Sequence, residues 1–409
     1  MRERPSAVIF GAGSVGRGFL GQLFSESGYD VVFVDIDAPL VEGLARRGSY
    51  TLRLAGVDKT ADLTIGPVRA VNSLHTGQVA DEVARAGLMA TAAGARALPA
   101  IAKSVASGLA RRWEAGQTAP SNIIVCENLR DAPDRLRGYV EDALPDALKP
   151  YVRQRVGFVP AVIARMSPVP TPEQRAADPT LIVAEPYKVL PVDHEAFAGS
   201  IPNVVGMEPV SPFIAYVERK LYIHNAGHAV LGYLGYRRGY VYGYEALTDP
   251  LVRPLLDQAL HEARRALIAE HDFDAGALAE HVQDLLARFA NRALADPISR
   301  LARDPLRKLA PDDRLVGAAR LAEKHGILPE GLAWGIAAAL AYDNRDDPYA
   351  AELEAALVQA GLDKTVYRVC GIRANERLAD LVRSRYRALQ EDPNWQQRHW
   401  HATWDIPWK

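Results

Sequence analysis

The sequence predicts an α/β chain, with a doubly wound parallel sheet at the N-terminus and a mostly α-helical C-terminal domain. Three observations predict it. The chain opens on a strand, a glycine turn, a helix, a second strand and an acid. Short apolar runs then alternate with helical patterns to about residue 190. From about residue 196, Ala, Leu, Arg and Glu recur at helical spacing instead.

Taken in order, Ala7-Val-Ile-Phe10 is an apolar run that reads as a buried strand, and Gly11-Ala-Gly-Ser-Val-Gly16 follows at once. Phe19, Leu20, Leu23 and Phe24 give Arg17–Ser27 a helical stripe that Gly28 ends. Val31-Val-Phe-Val34 is the second strand, and it stops at Asp35, 19 residues after Gly16. Each glycine has a physical reason: Gly11 for the tight turn, Gly13 for close backbone approach to a pyrophosphate, Gly16 for helix–strand packing. A glycine triplet alone is weak, but the whole unit is the fingerprint of a Rossmann-type dinucleotide-binding domain. Asp35 can accept hydrogen bonds from the ribose hydroxyls of NAD and would repel the 2′-phosphate of NADP, with Arg46 and Arg47 too far along to offset it. NAD is the expected cofactor.

Residues 88–94, 122–126, 156–159 and 181–184 read as further strands of the same sheet, and Ser167–Pro172 as a proline-rich loop. Segments 250–291, 311–342 and 347–390 carry helical periodicity. The expected domains are 1–195 for the dinucleotide, 196–390 for substrate and catalysis, and a Trp-rich tail over 391–409. Trp395, Trp400, Trp404 and Trp408 stand at near-helical spacing in that tail. They are expected to pack on their own protein or to form a dimer contact.

Composition excludes several classes. With 48% apolar and 24% charged residues the chain is an ordinary globular one, and a formal net charge of −2 gives no support to nucleic-acid binding. No apolar run approaches the roughly 18 residues of a membrane span. The first strand begins almost at once, which leaves no room for a signal peptide, and Cys126 and Cys370 are the only cysteines. A cytoplasmic protein, monomer or homodimer, acting on a small molecule is expected.

The chemistry is expected in Glu218-Arg-Lys-Leu-Tyr-Ile-His-Asn-Ala-Gly-His228. On an α-helix Lys220, Asn225 and His228 would fall at roughly 0°, 140° and 80° around the axis, at about 100° per residue. The amine can be a base, the amide can donate to a developing oxyanion, and the imidazole can orient a hydroxyl. The plain alternatives are a surface lysine at a helix start and a satisfied core histidine. Asn128 follows a strand at its C-terminal edge, where open α/β sheets bind ligands, though it is equally a turn or capping residue. His224 lies one turn before His228, as in metal-binding pairs, but no HExxH, cysteine or suitably placed acid accompanies it, so no metal is expected.

These motifs resemble the polyol-specific long-chain dehydrogenase/reductase family. The resemblance rests on Phe10-Gly-Ala-Gly-Ser-Val-Gly-Arg-Gly-Phe19, Cys126-Glu-Asn128, the Lys-x4-Asn-x2-His pattern at Lys220, Asn225 and His228, and Asp304-Pro-Leu-Arg-Lys-Leu309. It covers about residues 5 to 385. It implies a metal-independent, NAD-dependent oxidation of a polyol phosphate, D-mannitol 1-phosphate to D-fructose 6-phosphate, and its reversal. Lys220 would be the general base, and Asn225 and Asn128 would bond the substrate oxygen while His228 holds a hydroxyl. Phe10, Gly11, Ala12, Gly13, Ser14, Val15, Gly16, Arg17 and Gly18, with Asp35 and Thr91, would line the cofactor. A lysine of ordinary pKa, about 10.4, is too weakly deprotonated near neutrality and must come down by about 2–3, through burial beside the cofactor's positive ring.

For the phosphate, the stretch Arg288, Arg292, Arg300, Arg303, Arg307, Lys308 offers guanidinium groups suited to bidentate binding. Arg288 and Lys308 are the residues the resemblance favours. The alternative is a solvated face paired with Asp296 and Asp304. Two positions depart from the family, His224 where an apolar residue is usual and Arg292 where proline is common. A related dehydrogenase or hexuronate reductase acting on an unphosphorylated substrate, or a non-catalytic NAD-binding sensor, are the competing functions.

Overall fold

The computed structural model describes residues 4–168 and 170–395, which fall into two compact units divided between Tyr216 and Val217.

In the first unit, β1 (Ser6–Phe10), β2 (Asp30–Asp35), β5 (Val68–Asn72), β6 (Leu88–Thr91), β7 (Ser121–Val125) and β8 (Val156–Pro160) form one six-stranded sheet, with β3 (Tyr50–Ala55) and β4 (Thr60–Ile65) lying outside it. The order is β5-β2-β1-β6-β7-β8 and every pairing is parallel, with Phe10 in register with Val34 and with Thr91. Strand side chains alternate between two cores, which is why these runs are apolar throughout. Ile9, Phe33, Ala90 and Ile124 join Phe19, Leu23 and Phe24 on one face. Val8, Val32, Met89 and Ile123 meet Val79, Val83, Ile101, Val105 and Leu136 on the other.

The expected doubly wound sheet is present, with two corrections. Residues 181–184 were expected in it, but β9 (Ile182–Ala184) instead pairs in parallel with β3, whose other edge carries β4 antiparallel. A short buried strand has no sequence feature that names its partner. The domain edge expected at 195 lies farther on, because β10 (Leu190–Asp193) pairs with β11 (Met207–Val210) and keeps that segment in the first unit.

The described part of the second unit is helical. The helix Ala226–Arg237 is buried nearly all round and packs against Val252–His271, Ile298–Ala302 and Glu330–Leu340. Each long helical segment expected from periodicity is divided. Asp272, at φ 55°, separates Val252–His271 from Ala275–Phe289, whose first turn Asp274 caps through the Ala277 N–H at 2.7 Å. Segment 311–342 gives Val316–Lys324 and Glu330–Leu340, and 347–390 gives Pro348–Ala360, Leu362–Cys370 and Arg377–Glu391. Periodicity persists across such breaks because each piece keeps its apolar face inward. Trp395 is buried against Trp334, ring centroids 5.5 Å apart. Trp400, Trp404 and Trp408 lie outside the described residues. No described helix is long and apolar enough to cross a membrane.

Candidate active site

The glycine turn joins the end of β1 to a helix. Gly11 has φ +100°, a conformation costly for any residue with a Cβ, and its N–H bonds the Val34 carbonyl at 2.8 Å. A Cβ at Gly16 would lie 1.9 Å from the Gly11 carbonyl oxygen, so only glycine lets the helix close on the strand. A Cβ on Gly13 would meet nothing within 4 Å. Gly13 is exposed, with Ser14 and Val15 half-buried beside it, and this tip presents backbone to an incoming group. The helix opens as a π turn, Gly16–Leu20, in which the Gly21 N–H reaches back to the Gly16 carbonyl.

The Arg17 side chain is turned into the first unit. Its guanidinium is buried and donates to the Ala12 and Thr180 carbonyls, while the Tyr50 hydroxyl donates to its own carbonyl. It braces the turn from within. Gly18 likewise faces Ser167 and Ile182. Phe10, Gly11, Ala12 and Gly16 are buried under the turn they shape. Asp35 stands at the end of β2, accepting the Ala12 N–H at 2.6 Å and the Asp37 N–H at 3.0 Å. Each carboxylate oxygen keeps a lone pair for a ribose hydroxyl. Arg47 is engaged by Asp178 and Thr180. Thr91 ends β6, and Asn128 is exposed on a bend three residues past the end of β7. The open backbone at Gly13 and the acid after the second strand fit a dinucleotide.

In the second unit, Lys220–Asn225 is a second π turn running into the helix Ala226–Arg237, and the Ala226 N–H reaches back five residues to the Leu221 carbonyl. The expected plain α-helix is therefore corrected. Hydrogen bonding from i to i+5 brings residues five apart onto one face, where an α-helix would set them about 140° apart. Lys220 and Asn225 are such a pair, and both are half-buried.

The electrostatics suit an amine that must lose its proton. Burial, and then repulsion by Arg314 and Arg307, bring Lys220 down to about 8, against a smaller opposing pull from Asp313. The depression comes from the second unit's own residues, where a cofactor ring had been expected to supply it. His228 lies flat on Phe289, centroids 4.1 Å apart, and His224 meets the His228 ring edge-on at 4.7 Å. Burial, with nearby cationic groups, holds both imidazoles well below the ordinary histidine range, so both are neutral at physiological pH. His281 is pushed down to about 4 by burial, Arg219 and Arg288.

The basic stretch divides. Arg300 pairs with Asp296, and Arg307 with Asp304 at 2.7 Å, as the solvated-face alternative holds. Arg292 lies over the Tyr244 ring at 5.5 Å. Lys308 is buried, donates to the Leu301 carbonyl and sits 5.5 Å from the Tyr233 ring centroid. Its ammonium is turned into its own packing. Arg288 is buried near His224, His228 and His281, with Asp284 at 3.6 Å. Arg314 and His281 had no signal in the sequence, because only tertiary packing brings Arg314 to Lys220 and His281 to His224. Among the described residues no group of three or more His, Cys, Asp or Glu side chains could hold a metal ion.

The glycine turn of the first unit and the lysine–asparagine–histidine turn of the second are what an oxidoreductase of the polyol type requires. Residues 5–206 match the mannitol dehydrogenase Rossmann domain and residues 213–393 the mannitol dehydrogenase C-terminal domain, and the chain belongs to the mannitol dehydrogenase family. It is 37% identical over 385 residues to the mannitol-1-phosphate 5-dehydrogenase of Brevibacillus brevis, covering 94% of this chain and 98% of that one. The Bacillus licheniformis mannitol-1-phosphate 5-dehydrogenase is 38% identical over 383 residues, 93% of this chain and all of its own. Two solved structures share the fold at 18% identity. A D-sorbitol dehydrogenase in substrate-free form gives a TM-score of 0.80 over 96% of this chain and 94% of its own. A Pseudomonas fluorescens mannitol 2-dehydrogenase, solved as a ternary complex with NAD and D-mannitol, gives 0.70 over 96% and 93%.

Proposed function

We propose that this oxidoreductase interconverts D-mannitol 1-phosphate and D-fructose 6-phosphate with NAD, and that Lys220 is its general base. The observation that carries the mechanism is the lysine pKa of about 8, which supplies neutral amine near physiological pH. Bound NAD⁺ would accept hydride from the substrate carbon. Gly13 and Ser14 would approach its pyrophosphate, and Asp35 would hold its adenosine ribose.

Lys220 Nζ takes the hydroxyl proton as the carbonyl forms, and returns it in the reverse direction. The Asn225 amide donates to the substrate oxygen, where charge develops, and the Asn128 amide is assigned the same chemistry. His228, neutral and fixed by Phe289, bonds a neighbouring hydroxyl without competing for the proton. Arg288 is the phosphate ligand of choice, since a guanidinium stays charged and bonds phosphate bidentately. Support for the phosphorylated substrate comes from the curated relatives, both mannitol-1-phosphate 5-dehydrogenases.

The deciding experiment mixes the protein and NAD⁺ with a panel of polyols and polyol phosphates and follows NADH absorbance. Mannitol 1-phosphate is expected to be used far better than mannitol. Equal efficiency would remove the phosphate reading, and no turnover on any member would leave only NAD binding. Activity is expected to survive dialysis against a chelator; loss that zinc restores would make the His224–His228 pair a metal site.

A further inference from the structure

Between the glycine turn and Asn128 lies a buried acid with no assigned work. In a doubly wound sheet the dinucleotide crosses the C-terminal ends of the strands, pyrophosphate over the first turn and adenosine toward the acid of the second strand. Here the turn follows β1 and the acid is Asp35 on β2. With β6 and β7 on the other side of β1 from β2, the nicotinamide half would run the other way, toward the ends of β6 and β7. Thr91 ends β6, and Glu127 stands two residues past Val125, the end of β7.

Glu127 is 8% exposed. The Thr91 hydroxyl bonds its Oε2, and Oε1 is buried with no hydrogen-bond partner among the described residues. A carboxylate so placed, with no cation paired to it there, is costly. The oxidised nicotinamide ring is a cation and the reduced ring is neutral, so only one form of the cofactor supplies the missing charge. We propose that Glu127 acts through its charge on the nicotinamide end of the site, so that NAD⁺ binding releases its proton and NADH binding leaves it in place. The bookkeeping closes: the carboxyl O–H breaks, the proton passes to solvent, and the carboxylate is left beside the cationic ring.

The neighbours support it. Burial raises Glu127 above the ordinary carboxylate range, while Thr91 and the Ala93 and Gly94 backbone draw it back. The titratable group beside it is the Cys126 thiol, which burial pushes well up, so it stays neutral and does not compete. The proposal rests on NAD as cofactor and is independent of which polyol is oxidised.

Calorimetric titration of the full-length protein with NAD⁺ and with NADH, from about pH 5 to about pH 8 in buffers of different ionisation enthalpy, tests it. In the wild type, NAD⁺ affinity is expected to rise about tenfold across that range, with proton release, while NADH affinity stays level. Glu127→Gln should bind NADH as the wild type does and bind NAD⁺ weakly and without pH dependence. Thr91→Val, which removes a bond favouring the carboxylate, should move the NAD⁺ transition to higher pH; it keeps the test open if the glutamine variant does not fold. A pH dependence shared by both cofactor forms, or one retained in Glu127→Gln, would overturn the proposal. Failure of either form to bind would overturn the cofactor reading beneath it.

Discussion

At the scale of single residues, the proposed mechanism turns on Lys220. Lys220→Ala is expected to lower turnover by at least about 10²-fold, the low end for loss of a general base, with NADH affinity unchanged because the dinucleotide residues belong to the first unit. The sign of the pH dependence follows from its lowered pKa. Below about 8 the amine is mostly protonated and cannot accept, so oxidation should rise with pH through about 8 and then level, and reduction should show the opposite trend. Initial rates in both directions across that interval check it, and a Lys220→Ala variant with near-normal turnover would hand the base role to another group. In the proposed site Asp35 would select the cofactor. Its two oxygens each accept a backbone N–H and still have capacity for a diol, so Asp35→Ala should narrow the preference for NAD⁺ over NADP⁺ in steady-state kinetics. Comparable efficiency of the two cofactors in the wild type would defeat the assignment.

At the scale of elements, helix ends are satisfied from outside as well as from within. Glu262, buried in Val252–His271, accepts the N–H groups of Gly331 and Leu332 at 2.8 and 3.0 Å and so caps the helix Glu330–Leu340. Glu262→Ala would leave both donors buried without that acceptor, and should cost about 2–3 kcal/mol in a denaturant titration. A loss within experimental scatter would show that the cap is dispensable. No sequence signal marks this cap, because acceptor and donors are 69 and 70 residues apart. The same limit explains what could be read beforehand. The glycine turn, Asp35 and the lysine–asparagine–histidine spacing were legible because their chemistry is local. The hairpin of β3 and β4, the partner of β9 and the approach of Arg314 to Lys220 were not, because distant segments decide them. Lys220–Asn225 shows a third case: its helical character was legible, but its extra residue per turn was not, since the pattern of apolar residues tolerates either winding.

At the scale of the molecule, each unit closes its own polar and apolar accounts. The first buries both faces of its sheet, and in the second the helix Ala226–Arg237 supports the turn that carries Lys220. A ligand of the first unit should therefore stabilise a Lys220→Ala protein as much as the wild type, by about 2.7 kcal/mol when NADH is present at about 100 times its Kd. Thermal unfolding with and without NADH measures this, and stabilisation confined to the wild type would tie the cofactor site to the lysine.

The gathering of Lys220, Arg288 and Arg314 around uncharged histidines has a consequence for encounter rates. The chain as a whole is slightly acidic, with a formal net charge of −2, so a distant anion feels little attraction until it nears this patch. There, within about 10 Å at 0.1 M salt, a doubly charged sugar phosphate would be drawn inward and a neutral polyol would not. Raising ionic strength should therefore lower kcat/KM for mannitol 1-phosphate while leaving that for mannitol level. Parallel salt profiles for the two would mean that diffusion delivers the phosphate without electrostatic help.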